Sequence, residues 1–245
     1  MWNGRALSFD RNADSLDANF MTDLLYLAFN RLEFTRKSYE TMVANTDWGL
    51  IDRLLIYDDG STDGTREYLK QQLARAPVKA ALYQSDRLGP VEIMNTYLRL
   101  NEDDGIFIKI DNDVMLPPGW LAECLEVMRD PTIDLLGIEA MVSIGPAPRV
   151  PRETAYIGGI GLMRHRAFRC CLPLARGRFG FTSWQDTHHE VKKAWLDPAL
   201  PVCLLNLVPF EPWRSLSLEY IRKGWQRDWP PFLPESETKF WEWWQ

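Results

Sequence analysis

Long apolar runs are absent from the 245 residues. None approaches the roughly 20 consecutive apolar positions that a membrane-spanning helix needs, so a soluble protein, at most peripheral to a membrane, is expected. Cysteine is scarce: Cys124, Cys170, Cys171 and Cys203 follow no zinc-binding spacing, and adjacent cysteines rarely bridge each other. They are expected to be reduced packing residues of a cytoplasmic protein. Basic residues are in deficit, with 28 Lys and Arg against 34 Asp and Glu and a formal charge of −6. That balance argues against nucleic acid as a main partner, because a phosphate backbone calls for a basic face. Residues 1–22 carry Asp10, Asp14 and Asp17 without a continuous apolar core, which reads as a polar leader and not as a signal peptide.

What the chain does hold is a 46% apolar and 25% charged composition, ordinary for a domain that buries a substantial core. Apolar runs at 24–29, 54–57, 80–83 and 106–110 read as strands. Helical patterns lie between them, from about Thr35, through Tyr68, Leu69, Gln72 and Leu73 with Ser61 or Asp63 as cap, and from Gly89 to Leu100. Pro117-Pro118 marks the start of another helix through Met128. Ile133–Ile138 is a further strand candidate, and Thr187–Ala194 a short helix. Strand and helix in alternation imply an α/β fold with a mainly parallel sheet. Three segments result: the leader at 1–22, a main domain at 23–208, and an extension at 209–245.

Ligands on such sheets sit beyond the carboxyl ends of the strands, and two acidic turns fall there. Asp58-Asp59-Gly60-Ser61-Thr62-Asp63 follows the second strand. A carboxylate at that point is able to accept a hydrogen bond from a base imide or a ribose hydroxyl, and Gly60 permits close backbone approach. Asp, Gly and Ser also favour plain turns. Asp111-Asn112-Asp113 follows the clearest strand, Ile106–Ile110. Carboxylates two apart offer hard oxygen ligands to Mg²⁺ or Mn²⁺ together with substrate phosphate, and the alternative is a solvated acidic turn. Asp186, at the start of the expected short helix, suits either a general base or an N-cap. His188 and His189 follow it, as a metal nitrogen or as a surface pair.

These blocks resemble glycosyltransferase family 2. Leu25–Arg31, Tyr57–Thr65 and Lys109–Asp113 are similar to its successive N-terminal motifs. Gly158-Gly159-Ile160-Gly161, with Arg164 and Arg166, resembles its acceptor-side glycine segment, and Trp184-Gln185-Asp186 lies where the family carries Glu-Asp. The resemblance spans about 22–200 and implies that 23–208 is a catalytic domain, with a nucleotide-binding half at about 23–130 and an acceptor half at about 131–208. It implies the GT-A fold, a Rossmann-like mixed and mainly parallel sheet flanked by helices. It further implies sugar transfer from a nucleotide-diphosphate sugar, UDP-sugar favoured, to a saccharide, lipid-linked or other hydroxyl acceptor, with Mn²⁺ or Mg²⁺ as cofactor. Ala28, Asn30 and Arg31 would line the nucleoside pocket beside Asp58, with Asp59 assisting and Arg87 on the base or phosphate. Asp111 would face ribose or metal, with Asn112 next to it in the donor site. Asp113 would bind the metal, with His188 as a further metal candidate. Gly158, Gly159 and Trp184 fall on the acceptor side, and Asp186 would be the base of an inverting displacement. Gln185 departs from the family pattern. Gln226-Arg227-Asp228-Trp229 holds residues of the processive members' element at the wrong spacing, which argues against a polymerising synthase.

Trp213, Trp225, Trp229, Trp241, Trp243 and Trp244 crowd the extension. Such rings pack a tail onto a domain, stack on sugars or sit at membrane interfaces. Two other classes compete with sugar transfer. A sugar-phosphate nucleotidyltransferase wants a glycine-rich loop after the first strand, and Ala28-Phe29-Asn30-Arg31 has no glycine. A non-catalytic carbohydrate-binding protein leaves the paired acidic turns unexplained.

Overall fold

A computed structural model describes residues 21–101, 105–138, 152–154, 157–169, 171–174, 190–195, 202–208 and 210–226. Asp186, His188, His189, Trp184, Cys170 and the tryptophans beyond Trp225 lie outside the described residues.

Strand β1 (Thr22–Ala28) is buried along its whole length. Its alternate residues serve two cores. Leu24, Tyr26 and Ala28 join one, and Leu25 and Leu27 the other, so β1 reads as a continuous apolar run, as a strand covered on both faces must. It pairs in parallel with β2 (Arg53–Asp58) and with β4 (Ile106–Asp111), and β2 pairs in parallel with β3 (Lys79–Gln84). Helices α1 (Leu32–Asn45), α2 (Thr65–Leu73) and α4 (Trp120–Val127) cover the first core; α3 (Pro90–Leu100) covers the second. Three layers result, with every carboxyl end of β1 to β4 at one edge of the molecule.

Beyond β4 the sheet turns mixed. Its order is β3-β2-β1-β4-β8-β6-β9-β7, where β6 is Leu135–Gly137, β7 Arg152–Thr154, β8 Gly161–Arg164 and β9 Lys193–Trp195. β8 runs antiparallel to both β4 and β6. Gly161 makes this junction possible, because a β-carbon there would stand 2.1 Å from the Leu136 carbonyl oxygen. A two-stranded ribbon, β5 (Val114–Met115) with β10 (Cys203–Leu204), brings the later chain back beside the Asp111–Asp113 turn. From there α5 (Trp213–Arg222) packs Trp213 and Tyr220 on Phe34 of α1.

Two expectations require correction. The helix expected over Thr187–Ala194 is not formed in its described part, where Lys193–Trp195 is strand β9, parallel to β6 and antiparallel to β7. Sheet pairing there overrides a weak local pattern. The α2 cap is neither Ser61 nor Asp63 in the usual sense. Gly64 holds the cap position in a left-handed conformation, while the Asp63 carboxylate accepts the N–H of Thr65 at 3.1 Å and that of Leu32, the first residue of α1, at 2.9 Å. One carboxylate thereby serves the orphan donors of two helices.

Candidate active site

The strand register sets Ala28 beside Asp58 and Leu27 beside Asp111. The chain then leaves β1 through two consecutive non-glycine residues in the left-handed region, Asn30 at φ 48 and Arg31 at φ 64. Such a pair is costly and persists only where the surroundings over-determine it. Here both acidic turns hold it. On the β2 side, the Asn30 N–H donates to Ser61 Oγ at 2.8 Å, and its side-chain oxygen accepts the Thr62 N–H at 2.8 Å. On the β4 side, the Asn112 amide donates to the Asn30 carbonyl at 2.7 Å and to Thr35 Oγ1 at 2.8 Å. Arg31 donates to Asp113 Oδ2 at 2.8 Å and also to Asn112 Oδ1. The two acidic corners, far apart in sequence, are therefore joined through two residues at the end of the central strand.

Four of the five carboxylates in these corners have a cation each, and the fifth, Asp63, takes the backbone N–H groups of Leu32 and Thr65 instead. Asp58 meets Arg66 Nε at 2.6 Å, Asp59 meets Arg87 at 3.1 Å, Asp111 meets Lys109 at 2.7 Å, and Asp113 meets Arg31 at 2.8 Å. Asp58 also accepts the Ser61 N–H at 3.2 Å. The hydrogen bond from Arg66 to Asp58 holds the guanidinium above its ordinary value. Asp59 organises the following loop, accepting from Ser85 Oγ at 2.7 Å, the Leu88 N–H at 2.7 Å and the Gly89 N–H at 3.0 Å. Gly60 lets that loop close. Its φ is +81, and a β-carbon would stand 3.0 Å from the Arg87 nitrogen. Arg87, itself left-handed at φ 64, lays its guanidinium 3.2 Å from the ring centre of Phe29.

The Asp111–Asp113 turn divides its residues by burial. Asn112 points inward and is 1% exposed, its amide committed to Asn30, Thr35 and Arg31. The Asp111 and Asp113 side chains retain 35% and 12% exposure. Lys109 is buried in β4, and its ammonium also donates to the Gly159 carbonyl at 2.8 Å. That bond ties the Gly158-Gly159 segment to the Asp111–Asp113 turn. Of the two arginines after this segment, Arg164 turns away. Its guanidinium donates to the carbonyls of Ile133 at 2.9 Å and of Met128 just past α4, so it closes a helix end.

Among the described residues no group of three or more His, Cys, Asp or Glu side chains is arranged to hold a metal unaided. Two hard carboxylates on one turn nonetheless fit Mg²⁺ or Mn²⁺, which take one or two carboxylates and complete their shell with phosphate and water. Sequence reasoning missed Arg66, Lys109, Ser85 and Thr35. Lys109 had a visible signal, a charged residue inside an otherwise apolar strand.

A mainly parallel sheet with helices on both faces and acidic turns at its carboxyl edge defines the class, a GT-A fold. Solved structures agree on the fold. The mannosyltransferase PcManGT from Pyrobaculum calidifontis, in complex with GDP-Man and Mn²⁺, is similar at TM-score 0.60 and 13% identity, covering 92% of this chain and 69% of its own. TarS from S. aureus, in complex with UDP-GlcNAc, gives 0.58 and 13%, covering 74% and 57%. GalNAc-T7 with UDP, GalNAc and Mn²⁺ gives 0.56 and 11%, covering 72% of this chain, which in turn spans only 42% of GalNAc-T7. No curated protein sequence matches the chain. Residues 25–159, more than half of the chain, match the family model described as Glycosyl transferase family 2, and the chain belongs to that family. No described helix is long and apolar enough to cross a membrane.

Proposed function

We propose that this protein transfers a sugar from a nucleotide-diphosphate sugar to a hydroxyl acceptor, by a metal-dependent, inverting single displacement. One observation carries the reading: Asn30 and Arg31 bond to both acidic corners, so the residues suited to a nucleoside and those suited to a diphosphate stand at one sheet edge. Asp58, Asp59 and Asn30 fix the shape of the nucleoside side, and the Phe29–Arg87 pair offers it a planar, cationic surface. Asp111 and Asp113 are the residues that would hold Mg²⁺ or Mn²⁺. The bound cation would supply stabilisation of charge on the departing diphosphate. Arg31 lies close enough to Asp113 to share that task. Lys109 neutralises Asp111 and anchors Gly159, joining donor and acceptor sides.

Asp186 is the base in this reading, taking the acceptor hydroxyl proton as its oxygen attacks the anomeric carbon. Trp184 and Gly158 belong to the acceptor side, and His188 is a further metal candidate. A UDP-sugar is the favoured donor. The neighbours crystallised with UDP, UDP-GlcNAc or GDP-Man support a sugar nucleotide in general.

Thermal stabilisation by UDP or GDP, with and without Mn²⁺, tests the reading, since a ligand held only by the folded state raises apparent stability. Metal-dependent stabilisation is expected, with diphosphate and not pyrophosphate released on turnover. Pyrophosphate release would identify a nucleotidyltransferase, and no response to either nucleotide would end the proposal.

A further inference from the structure

We infer that Arg31 is an exchangeable counter-cation. It holds Asp113 in the ligand-free protein and passes to the donor's diphosphate when Asp113 turns to a divalent cation. This inference rests on the functional reading above and deepens it.

The first observation is charge balance. Asp111 and Asp113 are matched by Lys109 at 2.7 Å and Arg31 at 2.8 Å. A lone divalent cation therefore meets two carboxylates already neutralised by Lys109 and Arg31, and its binding alone is weak. A cation arriving with a diphosphate meets different circumstances. Arg31 and Asp113 each exchange one partner of opposite charge for another, and no charge is left uncompensated.

The second observation is that Arg31 is incompletely satisfied. Its Nη1 and Nη2 serve Asp113 and Asn112, yet its Nε is buried without a hydrogen-bond partner. A guanidinium presents its five donors as a rigid fork, and that fork matches a phosphate in two-point contact. Third, the residue is aimed by its backbone. Its left-handed φ of 64, fixed through Asn30, Thr35 and the first turn of α1, directs the side chain across the carboxyl edge of β4. Lys109 has no such freedom, because it rises from within the buried strand and also holds Gly159.

The test is Mn²⁺ binding to the full chain without nucleotide, followed by the electron paramagnetic resonance of free Mn²⁺. Arg31→Met keeps the apolar stem and removes the competing charge. It is expected to bind Mn²⁺ about tenfold tighter than the parent, the scale of one charge-assisted contact. Arg31→Lys retains a charge but not the fork, and should fall between the two. In the presence of UDP the difference narrows: the parent gains Mn²⁺ affinity and Arg31→Met gains less.

Arg31→Met binding Mn²⁺ no more tightly than the parent would overturn the inference. So would a gain that survives the added Asp113→Asn change, since the cation would then not sit on Asp113. If Arg31→Met fails to fold, Arg31→Lys decides alone, with tighter binding supporting exchange and equal or weaker binding refuting it. Failure of the functional reading looks different. Neither UDP nor GDP would bind the parent at any Mn²⁺ concentration, while the nucleotide-free titration would still report on Arg31.

Discussion

Replacing Asn30 probes the joint between the two acidic corners. Its side-chain oxygen accepts the Thr62 N–H at 2.8 Å, and its backbone sits at φ 48. Asn30→Ala deletes that bond, worth about 1 kcal/mol. It also places a residue with no local hydrogen-bonding side chain in a left-handed conformation, at a further cost of about 1–2 kcal/mol. The expected loss is about 2–3 kcal/mol. Asn30→Gly loses the same bond but relieves the backbone, so it should be more stable than the alanine variant by about 1 kcal/mol. Urea unfolding measures both, through midpoint shifts at unchanged slope. Nucleotide affinity is the second readout. Both variants should bind UDP or GDP at least about tenfold more weakly, more than 1.4 kcal/mol of binding, because the corners lose their common support. An alanine variant within about 0.5 kcal/mol of the parent, or a glycine variant no more stable than the alanine one, would refute the reasoning.

Four further outcomes are expected. Asp113→Ala should abolish metal-dependent donor turnover in a folded protein, checked by diphosphate release beside circular dichroism; transfer at the parent rate would remove Asp113 from the metal assignment. Asp186→Asn should keep nucleotide binding and slow transfer by at least about a hundredfold, whereas weakened binding at an unchanged rate would mark a structural cap. Lys109→Met should lower transfer by about tenfold or more, about 1.4 kcal/mol, while the chain still folds. An unchanged rate would show that neither Asp111 nor Gly159 needs its ammonium. Gly161→Ala should destabilise the fold by about 3 kcal/mol, the upper range for forced overpacking, because the added carbon meets the Leu136 carbonyl at 2.1 Å. A thermal melt like the parent's would contradict the close approach of β8 and β6.

The first half of the fold was legible because its signals are local. Strands β1, β2 and β4 show as apolar runs, broken in β4 only by Lys109, and each ends in residues that favour turns. The placement of Asp58 and Asp111 at one edge followed from strand alternation alone. What the sequence hid was pairing between distant positions. Nothing near Asp58 announces Arg66 as its partner, and nothing in Asp63 says that it serves two helices. The strand at Lys193–Trp195 is three residues long and gains its identity from β6 and β7, so periodicity had too little to act on. Asn112 looked like a ligand-facing residue because it stands between two acids. The turn that leaves Asp111 and Asp113 partly exposed buries Asn112, whose amide is spent on Asn30, Thr35 and Arg31.

The ribbon of β5 with β10 carries a consequence for how the enzyme comes into being. Leu205 donates its N–H to the Asp113 carbonyl at 2.7 Å, and Cys203 and Leu205 pack with Phe34 and Met115. During synthesis the Asp111–Asp113 turn emerges long before the segment that braces its outer side. A nascent chain can therefore complete β1 to β4 while the Asp111–Asp113 turn still lacks its outer brace, which arrives only once Leu205 has cleared the ribosome.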